Sequence, residues 1–220
     1  MDKFAQNVIL KRVNKVAEAL KKNNMDYYYA GSKEEVNAIV ENLLNRGDVI
    51  ASGGSMTLNE CGVLNMVKMN NNYKYFDREN VDPANIPQLY KASFSADVYL
   101  TSANAITENG ELVNVDGNSN RIAAIAFGPK SVIVVAGYNK IVADVEEGIK
   151  RVKTFSAPAN AMRLECSTPC ASSGECCGID GGICDGCASE DRICCNYLVS
   201  AYQRQKGRIK VIIVGEELGY

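Results

Sequence analysis

The sequence contains no histidine. That excludes a Ser-His-Asp triad, imidazole acid–base catalysis and mixed Cys/His metal sites, so any metal would be held mainly by thiolates. Long hydrophobic runs are missing too. Ser131–Ala136 and Val211–Val214 fall far short of the roughly 20 apolar residues that cross a bilayer. Positive charge is not in excess: 24 Lys and Arg stand against 26 Asp and Glu, for a formal net charge of -2. This argues against nucleic-acid binding driven by electrostatics. Met1-Asp2-Lys3-Phe4 opens an amphipathic pattern rather than the apolar stretch of a signal peptide. No internal repeat or low-complexity linker is visible. The expectation is a cytoplasmic protein with no membrane span and no nucleic-acid partner.

With 220 residues and 46% hydrophobic content, the chain is long enough for one domain over 1–220 with its own core. Phe4, Val8, Val13, Val16, Ala17 and Leu20 recur at helical spacing, which predicts an amphipathic helix over Asp2–Lys22. Ser32 with Glu35 three residues on reads as a capping box for a second helix. Short apolar segments follow at Asp48–Ala51, Tyr73–Phe76, Asp97–Thr101, Ser131–Ala136 and Ile209–Val214. Helical segments are predicted after Ser55 or Met56, over Pro87–Ala92, over Asn118–Ala126 and over Lys140–Val152. Asn109-Gly110 reads as a hairpin turn between Ala105–Thr107 and Glu111–Val115. Strands alternating with helices predict an α/β fold, with a mainly parallel sheet flanked by helices.

In such sheets ligands bind past the C-terminal ends of the strands. The loop Ser52-Gly53-Gly54-Ser55-Met56-Thr57 follows a strand directly. Its glycines permit close backbone approach, its hydroxyls supply hydrogen bonds, and a helix N-terminus favours an anion. A plain capped turn uses the same residues. The loop is neither a Walker loop nor a dinucleotide fingerprint, since it lacks the Lys of one and the G-x-G-x-x-G spacing of the other. Two further polar loops, Ser102–Glu108 with Asn104 and Asp116–Arg121 with Asn118, and the segment Gly137-Tyr138-Asn139-Lys140 occupy comparable places. Structural turns favour the same residue types. Lys140 at a helix start would oppose the helix dipole, which inclines the reading toward anion binding. Ser52, Gly53, Gly54, Ser55, Thr57, Asn104, Asp116, Asn118 and Asn139 are thus candidate binders of a small anionic or phosphorylated ligand. Glu60, Glu108 and Lys140 are candidate catalytic groups, although Glu60 could equally serve as the N3 partner of Thr57 in a capping box.

Cysteine is the abnormal component. Eight of nine lie between Cys166 and Cys195, and only Cys61 lies elsewhere. In a reducing compartment such a cluster reads as metal-binding or redox-active before it reads as a disulfide frame. Cys184-x-x-Cys187 has the spacing of a metal knuckle, and Cys170, Cys176 and Cys194 are available to complete a zinc or iron–sulfur site. Reduced thiols packed as small hydrophobes are the plainer alternative.

Taken together, Ser52–Glu60, Asp97–Thr107, Gly137–Val142, Thr168-Pro169-Cys170-Ala171, Asp191-Arg192-Ile193-Cys194 and Val214–Gly219 resemble the LUD-domain family, of the lactate-utilisation type. The likeness runs along nearly the whole chain. It implies a fold like that of the sugar-phosphate isomerase and CoA-transferase superfamily. It also implies a part in oxidising L-lactate to pyruvate, in a complex with an iron–sulfur partner protein. In the family pattern a cysteine follows Thr-Pro-Cys by six residues and another comes three residues later, ahead of Arg-Ile-Cys. Cys170, Cys176, Cys187 and Cys194 carry that pattern here, with Cys177–Asp185 as an insertion, or Cys184 in place of Cys176. A stand-alone enzyme acting on a sugar phosphate or CoA ester remains open, with Glu60 or Glu108 as nucleophile. So does a ligand-binding or redox-sensing regulatory domain.

Overall fold

In the computed structural model, which describes residues 2–220, the amphipathic N-terminal segment is a helix over Lys3–Lys22. Asp2 caps it by accepting from the Phe4 N–H at 2.8 Å, and Val13, Val16, Ala17 and Leu20 form its buried stripe. Ten strands follow among the described residues: β1 (Asp26–Ala30), β2 (Val49–Ser52), β3 (Lys74–Tyr75), β4 (Val98–Thr101), β5 (Ala105–Thr107), β6 (Leu112–Asp116), β7 (Ser131–Gly137), β8 (Ile141–Val142), β9 (Asn196–Ser200) and β10 (Ile209–Val214). Six of them form one sheet in the order β1-β10-β7-β4-β2-β3, and every pairing in it is parallel. The expected α/β class with a mainly parallel sheet is what the chain adopts.

The central strands read as continuous apolar runs because both of their faces are covered. Along β7, Val132, Val134 and Ala136 enter one core with Val13, Leu20 and Ile125. Ile133 and Val135 enter the other, with Val36, Val40 and Leu58. That alternation is the two-residue period of a strand.

A second sheet, in the order β8-β5-β6-β9, was not expected. β5 and β6 form the hairpin turned at Asn109-Gly110, β8 joins β5 in parallel, and β9 pairs antiparallel with β6. This sheet corrects the helix read over Lys140–Val152. Lys140 closes a short 3₁₀ turn, Ile141–Val142 is strand, and the helix starts only at Val145 under an Asp144 cap. Ser32 likewise makes no capping bond; Glu35 instead accepts from the Gly31 N–H at 2.9 Å.

The Cys-rich segment lies between the helices that follow β8 and the last strand, with one short helix over Pro169–Ser173 and then irregular backbone. Among the described residues no helix is long and apolar enough to cross a membrane.

Candidate functional site

The C-terminal ends of β2, β4, β7 and β10 deliver four loops to one end of the parallel sheet. A pocket of about 250 Å³ lies between those loops, the second sheet and the helix Ala157–Arg163. Of the sequence-predicted binders, Gly54, Ser55, Thr57, Asn104, Asp116, Asn118 and Lys140 all line it.

Lys140 is the central group. It is 2% exposed, and its ammonium nitrogen lies 3.0 Å from Thr57 Oγ1 and 3.0 Å from Ser102 Oγ. No carboxylate pairs with it within ion-pair distance among the described residues. Burial pulls its pKa down to about 7, and Arg151 and Arg121 push in the same direction against weaker opposition from Glu60 and Cys61. The C-terminal segment packs closely over the pair. Gly219, at φ +56°, passes where a Cβ would stand 2.6 Å from Thr57 Oγ1, so only glycine fits. Asn139 secures that segment by accepting from the Leu218 N–H at 3.1 Å, a supporting role behind the pocket rather than in its wall.

Arg121 shapes the floor. Its guanidinium donates to Ser102 O, Asn114 Oδ1, Asn104 Oδ1 and Val115 O at 2.6–3.3 Å and faces Asp116 at 3.5 Å. One side chain thus ties the loop after β4 to β6. Gly53 earns its place here by proximity, since a Cβ on it would lie 2.7 Å from Arg121 Cδ. Replacing Arg121 by Met would remove four hydrogen bonds and the partner of Asp116, although Asn104 Oδ1 keeps the Val115 N–H and Ser102 O keeps the Thr101 hydroxyl. The expected loss is about 3 kcal/mol of stability in urea unfolding, and a change under about 1 kcal/mol would remove this structural role.

The charged side chains lining it, among the described residues, are Arg78, Arg121, Lys140 and Arg163, against one side-chain carboxylate, that of Asp116. A concave surface with that imbalance attracts small anions. Tyr220 also lines it, and its buried hydroxyl has no hydrogen-bond partner among the described residues. A bound ligand can satisfy a group left in that state.

The remaining predicted residues lie elsewhere. Glu108 is held in ion pairs by Arg12 and Lys15, at 3.1 and 2.6 Å, on the N-terminal helix. Glu60 accepts from the Gly219 N–H at 2.9 Å and does not line the pocket. It is not the partner of Thr57 in a capping box either, because Ser55 caps that helix through the Leu58 N–H. Ser52 bonds the Tyr75 hydroxyl at 2.7 Å.

Cys170, Cys176, Cys177, Cys187 and Cys194 surround a second, small apolar cavity, while Cys184 stays outside it and exposed. The two cavities share a wall of Val152, Ala157 and Cys194. Val152 of that wall opens a π-helical turn over Val152–Ser156, a distortion that often accompanies functional sites, and Ala157 follows it directly. Lys153 on that turn is 3% exposed and donates to the carbonyls of Gly178, Gly181 and Gly182 at 2.5, 3.0 and 2.7 Å. Gly178, Gly181 and Gly182 therefore wrap the cysteine loop around one buried ammonium. Arg192 fastens the other side, donating to Cys187 O and Cys194 O.

Among the described residues no three cysteine or acidic side chains converge closely enough to hold one ion as they stand. The donor set, five thiols around one cavity, is of the kind that either zinc or an iron–sulfur cluster takes. Tyr197 packs with Cys194 beside this cavity, and its buried hydroxyl is also unpartnered. Cys61 has no part in either site. It lies in the core, where burial raises its thiol pKa to about 11.

Sequence reasoning passed over Arg121 as a functional group, and Arg151, Lys153 and Tyr220 altogether. Arg121 carried one signal, a cation at a helix start where the dipole disfavours it.

A crystal structure of a DUF162 family protein from Deinococcus radiodurans aligns with 96% of this chain and 98% of its own, at a TM-score of 0.50 and 17% identity. At that identity the likeness concerns the fold alone. No curated protein matches the sequence. A family model described as the LUD domain matches residues 13–214, spanning both the pocket and the cysteine segment, and the chain belongs to the LUD domain family.

Proposed function

We propose that the chain is a lactate-utilisation type subunit that holds a small 2-hydroxy or 2-oxo carboxylate against Lys140. It works in an L-lactate-oxidising system with an iron–sulfur partner protein. The observation that carries this reading is the charge imbalance at the pocket, where a buried lysine without an acidic partner stands among further cations. A carboxylate supplies the missing counter-charge. Thr57, Ser102 and Tyr220 offer hydroxyls for the remaining oxygens. The association of the family with lactate utilisation supports the 2-hydroxy acid class.

Cys170, Cys176, Cys187 and Cys194 would hold the metal centre, an iron–sulfur cluster in preference to zinc. When bound, such a cluster supplies one-electron transfer. The two cavities share a wall at Cys194; oxidation of a 2-hydroxy acid releases two electrons and two protons, so a cluster there would pass electrons one at a time to the iron–sulfur partner protein. Lys153 and Arg192 orient the loop that carries the thiols.

A sugar phosphate would meet the same positive charge, so the phosphate-ester reading stands second. CoA transfer is weaker, because it wants a glutamate nucleophile, and among the described residues the acidic side chain lining the pocket is Asp116, which faces Arg121. The test is equilibrium titration of L-lactate, pyruvate, a pentose phosphate and a CoA ester into protein purified without oxygen. One-site binding of L-lactate and pyruvate is the expected result. Tight binding and turnover of the phosphate ester alone would overturn it in favour of a stand-alone enzyme.

A further inference from the structure

We propose that Lys140 is a carbonyl nucleophile, forming a reversible imine with a small 2-oxo carboxylate in this pocket. The inference rests on the anion-pocket reading and deepens it by naming the bond made to the ligand.

The geometry comes first. Lys140 is 2% exposed, it lines the pocket, and among the described residues its nitrogen is bonded only to the hydroxyls of Thr57 and Ser102. A lysine that serves as a fixed charge is normally buried against a carboxylate or a set of carbonyls. Lys153 in this same chain shows that arrangement, with three carbonyl acceptors around its ammonium. Lys140 has neither. Two hydroxyls serve a neutral amine as well as an ammonium, since each can donate as readily as accept. The groups around it favour the neutral form: Arg151 and Arg121 disfavour its charge, and the opposing influence of Glu60 and Cys61 is weaker. Desolvation beside other cations is a recognised way of activating an amine toward carbonyls.

The ligand class follows from the same charges. The lining cations draw in a carboxylate, and in a 2-oxo acid the carbonyl carbon is bonded directly to it. Attack by the Nζ lone pair on C2 makes the carbinolamine, with the nitrogen's proton passing to the oxygen. Loss of that oxygen as water leaves the C=N bond. The sum is amine plus ketone to imine plus water, with no oxidant or reductant required. Thr57 Oγ1 and Ser102 Oγ, each 3.0 Å from Nζ, are placed to relay the protons. L-Lactate has a hydroxyl rather than a ketone at C2 and binds without a covalent bond, so the same pocket distinguishes the reduced acid from the oxidised one by covalency.

The test treats the full-length protein with pyruvate and sodium cyanoborohydride and reads the intact mass, then maps the modified lysine by tandem mass spectrometry. The expected result is one adduct per chain, at Lys140, suppressed at least tenfold by excess L-lactate or inorganic phosphate. It should form faster as pH rises through about 7. Lys140→Arg and Lys140→Met, checked for folding by circular dichroism, should give none. The wild-type map alone decides the matter if neither variant folds. Adducts spread over exposed lysines, or none at Lys140, would overturn the inference. Calorimetric titration with L-lactate, run in parallel, separates the two failures. Binding without an adduct removes only the imine, and no binding of either acid removes the anion-pocket reading as well.

Discussion

Lys140→Met is expected to abolish anion binding and, at the same time, to make the protein more stable. Removing one partner of a desolvated charge pair costs about 2–5 kcal/mol, or at least roughly 30-fold in affinity. The stability gain follows from the pKa, which burial has lowered to about 7 from an ordinary lysine value of about 10.4 in the unfolded chain. Between these values the unfolded state holds a proton that the folded state has released, so stability rises with pH through that window. Below pH 7 both states are protonated and the full cost of burying the charge is present. Above about pH 10.4 neither is protonated, and the cost has gone.

Methionine is nearly isosteric and carries no such cost, so its advantage over wild type should be largest at pH 7 and below and should vanish by about pH 10. Two lost hydrogen bonds offset part of the gain. About 1–3 kcal/mol remains, or a rise of roughly 2–8 °C in Tm. Thermal melts of the two proteins across pH 6–10 check this, because titrations common to both cancel in the difference. A variant less stable than wild type at pH 6 would show that Lys140 is held there for the fold.

Cys187→Ser is expected to lose the metal. A ligand thiolate replaced by a hydroxyl should weaken binding by more than the roughly 10–100-fold that loss of an outer partner costs. Cys170→Ser, Cys176→Ser and Cys194→Ser should behave alike. Cys184→Ser should retain metal, since Cys184 lies outside the cavity that the others line. Lys153→Met gives the graded case. It strips three glycine carbonyls of their donor without touching a sulfur, and about 10–100-fold weaker binding is expected. Iron, zinc and acid-labile sulfide content after anaerobic purification reads all six proteins. Equal retention by Cys184→Ser and Cys187→Ser would break the proposed ligand set. Loss in Cys184→Ser as well as in Cys187→Ser would restore the Cys184-x-x-Cys187 knuckle that the spacing first suggested.

What could be read from sequence and what could not have physical reasons. β7 and β10 were legible because strands buried on both faces are continuous apolar runs with no competing period. The hairpin at Asn109-Gly110 and the Ser55 cap were legible because turn and cap chemistry is local. The second sheet was not, since β8 is two residues long and β9 pairs with a strand some eighty positions away. Such pairing leaves no periodic trace. At the site, the loops after β2, β4 and β7 were found from strand-end logic, which depends only on chain direction. Arg121 was passed over as a functional group and Lys153 was passed over entirely, because a charged residue in sequence reads as solvated unless its partners are known. Those partners are backbone carbonyls and amide oxygens whose positions only the fold supplies. Glu108 is the converse case: a carboxylate beside a promising loop is ion-paired with a helix ninety-odd residues earlier, a partner that only the fold supplies.

The central claim is that one pocket holds a small carboxylate against Lys140 beside a cysteine-held centre. A crystal structure of protein purified without oxygen and grown with L-lactate tests it most directly. The account predicts the carboxylate within hydrogen-bond reach of Lys140 Nζ and the Tyr220 hydroxyl, and metal density among Cys170, Cys176, Cys187 and Cys194. Lactate bound elsewhere, with the pocket closed over Lys140 and those four thiols free, would contradict it.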